Sequence, residues 1–111
     1  MKIIKMSLNE TQKTKKKFRQ TKAWKQLRHD KNVEQKGTDP ITLGKLSKTC
    51  NLHHLDLDEE NYSKIDNKDN FILLNKVTHD MVHWLYKYQS KDKQFIDRLM
   101  EVVNRMIELN N

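Results

Sequence analysis

The stretch from residue 70 to residue 85, NFILLNKVTHDMVHWL, changes its hydrophobic pattern in the middle and decides the fold. Residues 71–74 form a short, continuous apolar run bounded by polar residues, which is typical of a buried β-strand. After this run the apolar residues recur at helical spacing, at Val77, Met81, Trp84, Leu85 and Tyr88. The pattern therefore predicts a strand followed at once by a helix.

Upstream of this stretch, the sequence predicts a second strand and a first helix. Residues 49–55 are a strand candidate, and residues 56–69, which hold six acidic side chains, are expected to form a solvated loop between the two strands. Thr21 stands at an N-cap position before a helix predicted at roughly 21–34. Gly37 and the pair Asp39-Pro40 are turn residues that should end that helix.

Downstream, a final amphipathic helix is predicted from about Asp92 to Leu109. Its apolar side is wide, and we expect it to pack on the domain or on a second copy of the chain. Residues 1–111 then form a single α+β domain that is mainly helical, a hairpin plus helix with flanking N- and C-terminal helices. Its parts are a basic arm and helix (1–36), a central module (37–90) and a C-terminal helix (91–111).

Composition excludes several classes of protein. The longest apolar run is about four residues, far below the ~20 that span a bilayer, so we expect no membrane-spanning segment. One cysteine excludes an intramolecular disulfide, and two glycines disfavour a glycine-rich phosphate loop.

Charge is unevenly distributed, because residues 1–37 carry twelve Lys and Arg against three acidic residues. A basic arm of this kind indicates a polyanionic partner.

Four of the five histidines fall in two groups, His53-His54 and His79 with His83. His79 and His83 lie four residues apart on the predicted helix and share one side of it, away from the apolar stripe. Neutral imidazoles at this spacing can converge on one divalent transition metal, although two ligands alone are too few for a tight site. Adjacent strand residues point to opposite faces, so one of His53 and His54 can be a ligand while the other stays free as a base.

Three segments, taken in order, resemble the signature of the HNH nuclease family. They are Leu52-His53-His54-Leu55-Asp56, then Asp69-Asn70-Phe71-Ile72-Leu73-Leu74, and then Thr78-His79-Asp80-Met81-Val82-His83. Residues 18–25, FRQTKAWK, also resemble the lead-in helix of small bacteriophage and bacterial HNH proteins. The resemblance covers about residues 18 to 86 and implies the ββα-metal (His-Me finger) fold, a hairpin and a helix that hold one metal ion.

The resemblance also implies roles for individual residues. His53, His79 and His83 would bind the metal, His54 would be the general base, and Asn70 would brace the hairpin loop and orient His54. An imidazole with an ordinary pKa near ~6.5 can take a proton from water at neutral pH.

The family works with one divalent metal ion, Mg or Mn, while three imidazoles also suit Zn or Ni. Many relatives carry two cysteine pairs around the hairpin. Cys50 stands alone here, and Asn75 and Thr78 occupy positions where a second pair often lies, so we expect no structural zinc.

The expected partner is DNA, by resemblance double-stranded and cut or nicked with little sequence preference. Phosphate contacts are expected from the basic residues of the N-terminal part, namely Lys13, Lys15, Lys16, Lys17, Arg19, Lys22, Lys25 and Arg28. The expected location is the cytoplasm of a bacterial or phage-infected bacterial cell. The sequence leaves two assemblies open, a homodimer and a complex with phage or bacterial proteins. The alternatives are a catalytically silent DNA-binding or assembly protein that retains the ββα scaffold, and a helical interaction protein.

Overall fold

The structure, a computed structural model, describes residues 17, 20–56 and 68–111. In chain order, the regular elements of these residues are α1 (Lys22–Glu34), β1 (Asn51–His54), a 3-10 turn (Lys68–Asn70), β2 (Phe71–Leu74), α2 (Lys76–Gln89) and α3 (Phe95–Leu109). This is a mainly helical α+β chain, as predicted. It forms two compact units, one ending at Asn75 and one comprising Lys76–Asn111, and each is described by itself.

Helix α1 begins where the sequence predicts, because Thr21 caps it. The Thr21 backbone is extended, and its hydroxyl accepts a hydrogen bond from the Trp24 backbone N–H at 3.2 Å. Trp24, Leu27 and Lys31 are buried along one side of the helix. After the helix, Lys36 and Gly37 both adopt positive φ, which suits glycine and turns the chain sharply.

The two strands form an antiparallel hairpin with its core on the side of α1. His54 pairs with Phe71 and Asn51 pairs with Leu74 at the two ends of the register. Phe71 packs on Trp24 and Leu27, with the Trp24 ring edge-on to it at 6.0 Å. A second cluster joins Leu73 to Leu46 and Cys50, and the half-buried Leu52 contacts both clusters. Strand β2 has the predicted bounds, whereas β1 is shorter than the predicted 49–55.

The outer edge of β2 is hydrogen-bonded by a side chain. The Gln35 amide donates to the Leu73 carbonyl at 2.9 Å and accepts from the Leu73 N–H at 2.8 Å. It also donates to the Thr38 carbonyl at 3.2 Å. Gln35 therefore reproduces for one residue the bonding of a neighbouring strand, and it joins the end of α1 to the hairpin.

A fully buried carboxylate, Asp39, joins the next turn to the end of β2. Its Oδ1 accepts from the backbone N–H groups of Ile41 and Thr42, and its Oδ2 accepts from that of Asn75 at 3.0 Å. The Asn75 side chain in turn accepts from Ser47 N at 2.8 Å and donates to Lys45 O at 2.9 Å. At Asn75, a hydrogen-bonded connection therefore ties together the segments before β1 and after β2.

The second unit is a hairpin of α2 and α3. Trp84 and Tyr88 of α2 pack their rings on Phe95 of α3, at centroid distances of 5.5 and 5.1 Å. Helix α3 begins three residues later than predicted, because Asp92 forms a turn in which its side chain accepts from Gln94 N and its carbonyl from Phe95 N.

The wide apolar side of α3 is largely exposed rather than packed. Val102 is 59% exposed, Met106 60% and Leu109 79%, and on α2 Trp84 is 49% exposed. Of the two alternatives predicted for this helix, packing on the domain is wrong for these side chains, since α2 reaches only the first half of the stripe, and packing on a second copy stays a prediction.

Some predictions fall on residues outside the described part of the chain. These are the N-terminal arm up to residue 16, residues 18 and 19, and residues 57–67 of the acidic loop. In the described part, no helix combines the length and apolar character that crossing a bilayer requires. The division into segments 1–36, 37–90 and 91–111 stays a prediction.

We predict that Gln35→Ala lowers the free energy of unfolding by about 2 kcal/mol, because the backbone N–H and the carbonyl of Leu73 both lose their hydrogen-bond partner. Gln35→Glu should also destabilise, since a carboxylate accepts from Leu73 N–H but cannot donate to its carbonyl. Urea unfolding followed by circular dichroism measures both. Gln26→Ala is the matched control, because Gln26 is exposed and its amide bonds the side chain of Asp30 on the same helix; equal effects at the two positions would contradict this account.

Candidate metal centre

Two imidazoles converge on one side of α2. The Nε2 atoms of His79 and His83 are 3.2 Å apart, and the ring centroids are 4.5 Å apart at an angle of 65°. The i, i+4 spacing places both rings over the same turn of the helix. The predicted same-side pair is therefore confirmed within the helix itself.

The separation of these nitrogens fits two ligands of one metal ion. Zn–N bonds of about 2.0–2.1 Å at a tetrahedral angle place two ligand nitrogens roughly 3.3 Å apart. The observed 3.2 Å is close to that value. Two lone pairs pointed at each other at this distance repel, so the arrangement favours a shared proton or a cation.

A carboxylate orients the first of these rings. Asp80 Oδ1 lies 3.3 Å from the Nδ1 atom of His79, and Asp80 Oδ2 accepts from the Lys76 ammonium at 2.8 Å. These hydrogen bonds, that of Lys76 first and that of His79 second, hold the pKa of the Asp80 carboxyl below its usual value. An ionised Asp80 favours the proton on Nδ1 of His79, which leaves the Nε2 lone pair for a metal.

The pKa of His83 lies below the usual value for a histidine. Partial burial is the main cause that lowers the pKa of His83, and the neighbouring His79 lowers it further, against a small opposing effect of Asp80. A histidine binds metal through an unprotonated nitrogen. A lowered pKa therefore makes His83 a ready ligand at neutral pH.

His53 is the third candidate ligand. It lies on β1 opposite Ile72, and it is 6% exposed. The pair on α2 offers two nitrogens for one ion, and His53 as the third ligand stays a prediction.

The predicted base His54 lies on the opposite face of the strand from His53. It is 9% exposed, and its ring lies flat on that of Phe71, with centroids 4.6 Å apart at an angle of 8°. The expected alternation of the adjacent histidines is thus present, because Phe71 belongs to the core beside α1. Asn70 ends the 3-10 turn, and its backbone carbonyl accepts from Leu55 N at 2.7 Å, which closes the base of the hairpin loop.

The predicted DNA-contacting residues are partly described. Lys17, Lys22 and Lys25 are exposed, and the two residues on α1 line an open depression with Ala23 and Gln26. Arg28 is half-buried and donates to the Cys50 carbonyl at 2.7 Å, so it also joins α1 to the start of β1. Lys13, Lys15, Lys16 and Arg19 lie outside the described residues.

Sequence reasoning missed Lys76 and Asp80 as residues that orient the metal ligands. The signal was present, since an acid directly after the first histidine and a lysine four residues before that acid can bond on one helix side. Such a pair is common on exposed helices, and its link to His79 becomes evident only from the 3.3 Å contact.

Comparison with models of known protein families, with curated proteins and with solved structures found no match to this chain. The interpretation of the site therefore depends on the chemistry of its own residues.

We predict that in the metal-free protein the His83 imidazole titrates below the ordinary value of 6.5. In His79→Ala its pKa should rise, because the positive charge of a protonated His79 is removed. Histidine ring signals in an NMR pH titration with a chelator present measure both values. A His83 midpoint at or above 6.5, or one unaffected by His79→Ala, would contradict the coupling. Because a protonated ring nitrogen cannot bind a metal, metal uptake should weaken as the pH falls through the pKa of His83.

Proposed function

We propose that this protein is a metal-dependent endonuclease of the HNH type that nicks or cuts DNA. One divalent ion would be held by His53, His79 and His83, and His54 would be the general base. The observation that carries the proposal is the convergence of His79 and His83, whose Nε2 atoms are 3.2 Å apart, and two further imidazoles lie on consecutive residues of β1. The order β1, β2, α2 is also that of a ββα-metal finger.

The donor set fits a metal that acts on phosphate. Three imidazoles leave further coordination positions open, and a divalent ion bound there supplies positive charge to a phosphate under attack and to the leaving oxygen. Mg and Mn are the functional candidates by resemblance, while Zn and Ni suit nitrogen ligands best. Asp80 and Lys76 keep the His79 ring in the orientation that binding requires.

In this proposal His54 takes a proton from the attacking water. It follows the proposed ligand His53 directly in β1, so its ring lies on the other face of the strand and is not a ligand of the same ion. Its ring stacks on Phe71, so its orientation is fixed by packing. Asn70, whose carbonyl bonds Leu55, holds the backbone that follows His54.

DNA binding is supported by charge. The chain has a formal net charge of +7, and the exposed Lys17, Lys22 and Lys25 lie at or before the N-terminal end of α1. Lysines that contact phosphates give an affinity that depends steeply on salt and little on base sequence.

A second candidate function is a catalytically silent DNA-binding or assembly protein that keeps the metal site. One observation favours it, namely the burial of His54 against Phe71, because a general base must reach the water that it deprotonates. The two candidates share the metal centre and differ in the role of His54.

The first test concerns the metal. We predict that His83→Ala and His53→Ala each weaken binding of Zn or Ni at least tenfold in calorimetric titration, because each would remove one of the three proposed ligands. His29→Ala is the matched control, since it removes an exposed imidazole on α1. Unchanged affinity in His53→Ala, with loss in His83→Ala, would restrict the site to the pair on α2.

The second test concerns catalysis. Supercoiled plasmid is incubated with the wild-type protein and Mg, Mn, Ni or Zn, beside His54→Ala and His54→Asn. We predict nicking that falls roughly 100-fold or more in both variants while metal and DNA binding persist. If the wild-type protein binds metal and DNA but leaves the plasmid intact with every ion, the silent alternative holds. Equal nicking by wild type and His54→Ala would exclude His54 as the base.

A further inference from the structure

A tight turn between α1 and β1 exposes two apolar side chains. Thr38 pairs with Lys45 in a short antiparallel bridge, so the chain reverses its direction across residues 39–44. Within this turn Ile41 is 53% exposed and Leu43 is 77% exposed. Turns of this kind are built mainly from Gly, Pro, Asn, Asp and Ser, so large aliphatic side chains at the tip are unusual.

The shape of this turn is fixed by hydrogen bonds to Asp39. The Asp39 N–H donates to the Gly44 carbonyl at 2.8 Å, and the Asp39 carbonyl accepts from the Leu43 N–H at 2.8 Å. Its buried carboxylate accepts from the N–H groups of Ile41 and Thr42. The backbone that carries the two apolar side chains is therefore held in one conformation.

Leu43 lies in a backbone conformation that is unfavourable for leucine. Its φ is 63°, in the left-handed region that glycine and asparagine adopt at little cost and other residues adopt under strain. The side chain also leaves most of its apolar surface in water. Asparagine at this position would suit the fold better than leucine does. Strained residues of this kind cluster at functional sites, which indicates that Leu43 contacts something outside the chain.

The surface around the turn is basic. Residues 36–49 contain a single acid, the buried Asp39, and three exposed lysines. The lysines are Lys36, Lys45 and Lys48. Among the described residues these three form no ion pair, and Glu34, the acid that precedes the segment, is held by Lys31. The exposed charge that surrounds the apolar tip is therefore positive.

We propose that this turn contacts duplex DNA, with Leu43 and Ile41 inserted between neighbouring base pairs and the three lysines on the flanking phosphates. Proteins that kink DNA insert apolar side chains as wedges in this way. A wedge has to keep its shape while it separates stacked bases, and the bonds of Asp39 provide that stiffness. The proposal rests on the DNA binding of the proposed function, and it is independent of nuclease activity.

The composition of the turn favours DNA over a membrane or a protein partner. Segments that bind lipid surfaces bury a wide apolar area that includes Trp and Phe, whereas this turn has two aliphatic side chains and no aromatic one. Protein interfaces are depleted in lysine, and here three lysines accompany the two apolar side chains. DNA fits both features, because its phosphates attract lysine and its base steps accept an apolar wedge.

The test measures binding of the full chain to a short DNA duplex in EDTA over a range of salt concentrations. Leu43→Asn should raise the dissociation constant roughly fivefold or more, because the wedge is lost. The salt dependence should stay unchanged in this variant, since no charge is removed, whereas Lys48→Ala should lower the salt slope by about 1. Leu43→Asn should also raise the midpoint of urea unfolding, because asparagine relieves the strain at positive φ.

Leu109→Asn is the matched control, because it makes the same substitution at a leucine that is 79% exposed at the end of α3. Duplexes that carry 2-aminopurine report base unstacking as a rise in fluorescence. The wild-type chain and Leu109→Asn should produce this rise, and Leu43→Asn should not.

Three results would overturn the proposal: wild-type binding without base unstacking, equal DNA affinity of Leu43→Asn and wild type, or a lowered unfolding midpoint in Leu43→Asn, which would show that the leucine serves the fold. Vesicles of phosphatidylserine form a separate arm. Loss of vesicle binding in Leu43→Asn with unchanged DNA binding would assign the turn to a membrane and overturn the DNA contact. Because only binding is measured, an intact plasmid in the nicking test contradicts the nuclease alone, while a wild-type chain that binds no DNA contradicts both proposals.

Discussion

Strand β2 has hydrogen-bond partners on both edges, although the sheet contains one other strand in the described residues. On one edge it pairs with β1, and on the other the Gln35 amide bonds both peptide groups of Leu73. Buried peptide groups must be paired, and a two-stranded hairpin alone is at best marginally stable in water. This second set of bonds ties α1 to the hairpin, and the clusters around Phe71 and Leu73 then pack against a fixed strand. The end of β2 is fixed in turn by Asp39 and Asn75, directly before α2 begins.

The candidate site uses two ways of positioning an imidazole. His79 and His83 are positioned by helical spacing and by the Asp80 carboxylate, so their Nε2 atoms meet at 3.2 Å before any ligand binds. His53 and His54 are positioned by the alternation of a strand whose register is set by the hairpin. Preformed ligands reduce the ordering that binding must impose, which is why pairs on rigid elements suit metal sites.

Much of the fold follows from periodicity in the sequence. The Thr21 cap, the bounds of β2 and the helix that follows this strand at once are local signals, and all three are confirmed. The bonds of Gln35 and Asp39 join residues up to 38 positions apart, and no periodic pattern reports such pairs. The exposure of Met106 was missed for a different reason, since an apolar stripe predicts that a surface is covered but not by what. At the site, spacing was sufficient for the His79–His83 pair, while the role of each histidine stays a prediction.

The contact between Arg28 and Cys50 has a practical consequence. The guanidinium donates to the Cys50 carbonyl at 2.7 Å and contacts its sulfur at 3.4 Å, and the cysteine is 4% exposed. It is the single cysteine of the chain, so any thiol reagent labels one defined position. Because the sulfur is packed with Leu46 and Leu73 and contacted by Arg28, the labelling rate measures how often this packing opens in the native state.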